Sequence, residues 1–235
     1  MTRIVHLPVT RRARLAVQRG VEGGAPEALS ELWILLHGYR QLAPRFIRHF
    51  RALFDPSRLL VAPEGLSRFY LEGSPGPHRG GDPVGASWMT REDREAEIED
   101  YVGYLDEVLN WGLALCAAGD RRTSVRVIGF SQGVHTAARW VGLGEAFRKP
   151  EARARTRLLL WGAALPADLP DEGLARFRTL ESLVLVRGEE DPLRVEGDEE
   201  GEEARLREAG IDYRVRVHPG GHRIDGALLR ELAKG

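Results

Sequence analysis

From about residue 30 to the end of the chain, short apolar runs alternate with longer amphipathic stretches, and few folds accommodate that rhythm. The runs are 32–39 (LWILLHGY), 59–64 (LLVAPE), 125–130 (VRVIGF), 158–163 (LLLWGA), 183–187 (LVLVR) and 213–217 (YRVRV). The first five are almost continuously apolar, as strands must be when helices cover both faces of a parallel sheet. The sixth alternates with arginine and reads as a half-exposed strand near a sheet edge. Helices are expected at about 41–54, 91–116, 132–143, 199–209 and 224–233. The longest is the clearest. Ile98, Tyr101, Val102, Leu105, Val108, Leu109 and Leu113 recur at helical spacing, behind a capping signal at Thr90 to Asp93. Such alternation predicts an α/β fold with a mostly parallel central sheet, right-handed crossovers and helices on both faces. Two alternating runs at 4–9 and 13–18 read as an antiparallel lead-in to that sheet. No internal repeat or linker divides the chain, so residues 1–235 are expected to form one domain.

Composition narrows the class. With 34 basic and 35 acidic groups the net charge is -1, which argues against a nucleic-acid-binding surface. A single cysteine, Cys116, rules out a disulfide framework and any cysteine-based zinc site. No apolar run approaches a membrane span, and the first residues lack the apolar core and cleavage site of a secretory signal. A cytoplasmic protein is expected, acting as monomer or homodimer on a small molecule. Only Lys149 and Lys234 are lysines, so arginine supplies nearly all the positive charge.

The motif that carries chemistry is Gly129-Phe130-Ser131-Gln132-Gly133, between a strand and a helix. G-x-S-x-G in that setting is a nucleophile elbow: small neighbours let the chain fold tightly beneath a serine whose Oγ projects above the sheet. An acid and then a histidine should follow in chain order. Asp191 ends the 183–187 strand in GEEDP, and His222 follows the 213–217 strand in GGH. Both fall at the carboxyl ends of strands, where open α/β sheets bind ligands. Glu189, Glu190 and Asp198 compete with Asp191, and His218 competes with His222. His135 falls one turn into the helix after Ser131 and reads as a packing residue. The oxyanion of an acyl-transfer intermediate needs two N–H donors, and the amides of Gln132 and Tyr39 are the candidates. His37, in LLHGY, is then structural and holds the loop by hydrogen bonds.

Two segments stand apart. Residues 66–90 carry five glycines and three prolines with Phe69, Tyr70 and Trp88, as expected of a loop that borders the active site. The alternative is a solvent loop whose aromatics plug the seam between helix and sheet. Residues 189–203 are acidic at nine of 15 positions without EF-hand spacing, and read as a solvated loop running into a helix N-terminus.

Taken together, LLHGY at 35–39, VAPEG at 61–65, GFSQG at 129–133, GEEDP at 188–192 and GGH at 220–222 resemble the phospholipase/carboxylesterase group of α/β-hydrolases, which includes the acyl-protein thioesterases. The resemblance implies an α/β-hydrolase fold and ester hydrolysis by Ser131, Asp191 and His222, with Tyr39 and Gln132 as oxyanion residues and no cofactor or metal. It places Trp88 beside the acyl pocket, with Phe69 and Tyr70 as further substrate-binding candidates. Thioesters, lysophospholipids, dienelactone-type lactones and a non-catalytic binding module are the alternatives. The chain departs from the family pattern at Tyr39, Arg40 and Val134. Tyr39 and Arg40 are expected to narrow the cleft or set a cation near the substrate.

Overall fold

The computed structural model describes residues 2–19, 29–71, 77–116, 123–195 and 197–234. Seven strands form the main sheet: β1 (Leu15–Arg19), β2 (Glu31–Leu36), β3 (Arg58–Pro63), β6 (Ser124–Phe130), β7 (Thr156–Trp161), β8 (Ser182–Gly188) and β9 (Arg214–His218). Two short strands, β4 (Ser67–Tyr70) and β5 (Val84–Ser87), pair separately. The main order is β1-β3-β2-β6-β7-β8-β9, parallel throughout except for β1, which runs antiparallel to β3. The helices are α1 (Ala43–Phe46), α2 (Arg94–Cys116), α3 (Gln132–Leu143), α4 (Pro150–Arg153), α5 (Asp171–Ala175), α6 (Asp198–Glu208) and α7 (Gly226–Leu232).

Period-two side-chain direction sorts the central strands into two cores. Leu32, Ile34 and Leu36 of β2, with Val125 and Val127 of β6 and Leu158 and Leu160 of β7, pack beneath α2 and α3. Their neighbours Trp33, Leu35, Ile128, Phe130, Leu159 and Trp161 pack on the opposite face. There they meet Phe46, Phe50 and Leu53 from the α1 region and Leu228 and Leu229 of α7. Both faces of each central strand are therefore buried, which explains the unbroken apolar runs. β9 is an edge strand, as its arginines require.

The expected lead-in is half right. Leu15–Arg19 pairs with β3, but residues 2–14 form no regular structure and Ile4 is 81% exposed. The 4–9 run finds no apolar face to cover, and Pro8 removes a donor that a strand would use. The segment at 66–90 is likewise not one loop. β4 and β5 pair antiparallel within it, from Ser67 opposite Ser87 to Tyr70 opposite Val84, while residues 72–76 lie outside the described residues. Among the described residues no helix is long and apolar enough to cross a membrane.

Candidate active site

Ser131 sits between β6 and α3 with φ 56° and ψ -121°, a region that a non-glycine residue occupies only when its surroundings compel it. The compulsion is visible on both sides. Ser131 N–H donates to the Trp161 carbonyl at 2.9 Å, continuing the β6–β7 ladder past its end. The chain then turns so sharply that a Cβ on Gly129 would lie 2.3 Å from the Gly133 carbonyl oxygen, and one on Gly133 would lie 2.2 Å from that of Leu36. Both glycines are thus demanded by close backbone approach, the physical content of the G-x-S-x-G spacing.

Asp191 and His222 meet across the ends of β8 and β9. His222 Nδ1 lies 2.7 Å from Asp191 Oδ2, and Asp191 Oδ1 accepts the Leu193 N–H at 2.9 Å. The Asp191 carboxylate is almost wholly buried and the imidazole is half-buried against the Phe130 ring, centroids 4.8 Å apart. None of the competitors makes this pair, although Asp198 also lines the cleft onto which Asp191 and His222 open. Glu189 and Glu190 are exposed, Asp198 begins α6, and His218 is buried where Trp161 Nε1 donates to its Nε2 at 3.3 Å. Ser131, Gln132, Asp191 and His222 all open onto one cleft of about 970 Å³.

The Tyr39 loop is held from below. His37 is fully buried; its Nε2 accepts the Gly65 N–H at 2.9 Å, so Nδ1 carries the proton and donates to the Gly38 carbonyl at 2.8 Å. Burial lowers its pKa and keeps it neutral, with the Gly38 hydrogen bond and Glu64 opposing. Gly38 N–H donates to the Gln41 side chain at 2.8 Å, and Arg40 N–H to the Ala86 carbonyl of β5 at 2.9 Å. Among the described residues neither the Tyr39 nor the Gln132 amide has a backbone acceptor outside the regular elements. The Gln132 side chain spans to the other wall of this loop, donating to Ser87 Oγ and the Met89 carbonyl and accepting from Trp88 N–H.

One clamp escaped the sequence reading. Glu64, at the end of β3, is buried. It accepts from Arg14 at 2.6 and 2.9 Å, Arg68 at 3.0 Å and the Ala43 N–H that opens α1 at 3.1 Å. Burial pushes its carboxyl pKa up, but these hydrogen bonds more than reverse the shift and hold it below the usual range. The partners lie 50 and 21 residues before it and four after it along the chain, so no single local pattern marks them.

The aromatic candidates lie off this cleft. Trp88 is 2% exposed and supports the loop from beneath: its Nε1 donates to the His37 carbonyl at 2.8 Å and its ring lies 4.9 Å from that imidazole. Phe69 stacks on Tyr39 at 5.3 Å, and Tyr70 stacks on His78 at 3.6 Å. Neither of these, nor the exposed Arg40, is on the cleft wall. The aromatics fill the seam beside β5, and the cleft opens on the other side of Ser131. His135, expected to pack or to support the site from behind, is on the cleft wall; burial and the Arg139 charge lower its pKa.

A mostly parallel, doubly covered sheet with a strained serine turn at its carboxyl edge defines the α/β-hydrolase fold, and this chain has it. Solved structures share that architecture nearly end to end. Esterase PE8 aligns with a TM-score of 0.62 at 24% identity, covering 95% of this chain and 97% of that one. The Zea mays acyl-protein thioesterase 2 aligns at 0.62 and 16% identity over 95% and 97%. The Bacillus cereus carboxylesterase aligns at 0.59 and 15% identity over 94% and 92%. No protein-family model matches the chain, and no curated protein matches its sequence.

Proposed function

We propose that the chain is a serine hydrolase of carboxylic esters. The observation that carries this reading is the strained Ser131 turn opening onto the same cleft as the hydrogen-bonded Asp191–His222 pair. In the proposed cycle Ser131 Oγ attacks the ester carbonyl carbon as His222 Nε2 takes the hydroxyl proton. Asp191 accepts the Nδ1 proton's hydrogen bond, which fixes the tautomer and stabilises the imidazolium. The amides of Tyr39 and Gln132 receive the negative charge on the former carbonyl oxygen. Collapse expels the alcohol, which takes its proton from His222. Water then enters by the same path and frees the acid and Ser131. Each group involved belongs to the chain itself, and the substrate is a small molecule that fits the cleft.

Esterase and thioesterase neighbours of the same fold support the reaction class, since ester and thioester cleavage pass through the same acyl-enzyme. The test is turnover of p-nitrophenyl butyrate by the wild type and by Ser131→Ala. The variant should lose about four orders of magnitude in kcat while its melting temperature stays close to that of the wild type. A folded variant that keeps its rate overturns the reading.

A further inference from the structure

The cleft is not a plain acyl tunnel. Ser131, His135 and Arg139 are spaced four residues apart and line it from one face of α3. Beside them, joined through His135 to Ala164 and through Arg139 to Asp168, runs the segment from Gly162 to Asp168, whose middle is Ala163, Ala164, Leu165, Pro166 and Ala167. Such a wall suits a short aliphatic chain. At its far end the polarity changes abruptly: Asp168 bridges two guanidiniums, Arg139 at 2.7 Å and Arg94 through a short contact to its other oxygen. Both arginines line the cleft.

Of the carboxylates that pair with Arg94 and Arg139, Asp168 alone lines the cleft. One carboxylate faces two cations, and Arg94's second partner, Glu95, is a strongly exposed side chain on the neighbouring residue. A solvated pair of that kind contributes little and exchanges readily. Arg139 is only 5% exposed; its buried Nε–H makes no well-aligned hydrogen bond among the described residues, although the buried Tyr101 hydroxyl faces the same guanidinium. Its Nη1 lies 3.5 Å from the Met89 sulfur, a weak acceptor. His135 adds no second anion or cation, because burial and Arg139 hold it neutral. Desolvation pushes the Asp168 carboxyl up, yet Arg139 and Arg94 drive it down to about 2, the mark of a strongly cationic setting. The other guanidiniums of the cleft are occupied. Arg187 pairs with Glu199, Glu202 and Glu203, Arg194 pairs with Glu199, and Arg205 donates to the carbonyls of Pro166 and Leu169.

We propose that the cleft selects esters whose acyl part ends in a carboxylate, held by Arg94 and Arg139 at the end opposite Ser131. This deepens the hydrolase reading and rests on it. Eight residues of helix separate Ser131 from Arg139 by about 12 Å along the axis, and side chains on a helix tilt toward its N-terminus. The span left between them matches a short dicarboxylic acid esterified at one end. The carboxylate is recognised without being changed, so the hydrolysis chemistry is unaltered and only its substrate is specified.

The experiment compares the mono-p-nitrophenyl ester of glutaric acid with the same molecule capped as its methyl ester, by kcat/KM. The wild type should favour the free carboxylate at least tenfold. In Arg94→Gln that ratio should fall toward one, and Arg94→Lys should restore part of it. Arg139→Gln should behave like Arg94→Gln if it folds, and circular dichroism checks this. Because the readout is a ratio, a purely structural strap, which would depress both substrates equally, leaves it unmoved. A wild type with no preference, or an Arg94→Gln enzyme that keeps the preference, overturns the proposal. Turnover of neither ester would instead overturn the hydrolase reading beneath it.

Discussion

The two sides of Ser131 are built from opposite materials. On one side the β2–α1 loop, β5 and the aromatics Tyr39, Phe69 and Trp88 are packed against one another, with His37 and Gln132 tying the backbone at fixed points. On the other side the 162–168 segment and α6 leave an open cleft lined by small apolar residues, guanidiniums and carboxylates. The closed side has every reason to be rigid, since an oxyanion site acts by holding its donors in place before charge develops. The open side has room for chemistry to vary. Aromatic residues near the proposed nucleophile therefore need not mark a substrate pocket; here they brace the backbone beside Ser131, and the cleft is lined by residues with no aromatic signature.

Substitutions can break or sharpen that contrast. The largest structural effect should come from Gly133→Ala, which drives a methyl group into the Leu36 carbonyl and should cost about 3 kcal/mol in urea unfolding. A neutral result would mean that the elbow is not wedged between strand and helix. Glu64→Gln should cost about 2 kcal/mol at neutral pH, by weakening the charge-assisted bonds that tie β1 and α1 to the closed side. Its pH signature follows from the lowered carboxyl pKa. The stabilisation is complete above the unfolded value of 4.5 and is lost as pH falls through the lower folded value. Melting temperatures recorded from pH 6 downward should therefore show a shallower acid limb in the variant than in the wild type. Trp88→Phe should be mildest, about 1 kcal/mol for the lost bond to the His37 carbonyl, with acyl-chain preference unchanged. A shifted preference would put the pocket on the aromatic side after all.

What the sequence reveals follows from where physics acts locally. Central strands are legible because both faces are buried, so β2, β3, β6, β7 and β8 appear as apolar runs displaced by no more than a few residues. The elbow is legible because backbone crowding admits only glycine at 129 and 133. The Asp191–His222 pair is legible as order and strand-end position, although its hydrogen bond is tertiary. By contrast, β4 and β5 are four residues each and pair across a glycine- and proline-rich segment, which hides them. Helices as short as α4 and α5 leave no period to detect. The Arg94–Asp168–Arg139 bridge joins residues 74 and 29 positions apart, so only the folded chain displays it. Loop composition singles out 66–90, but it carries no information about which of its residues line a cleft and which pack beneath the chain.

The central claim is that Ser131 is an activated nucleophile. It is tested most directly by intact-protein mass after incubation with a fluorophosphonate, wild type beside Ser131→Ala. One adduct per wild-type chain and none on the folded variant is the predicted result. An unmodified wild type, or an adduct that persists in Ser131→Ala, would contradict it.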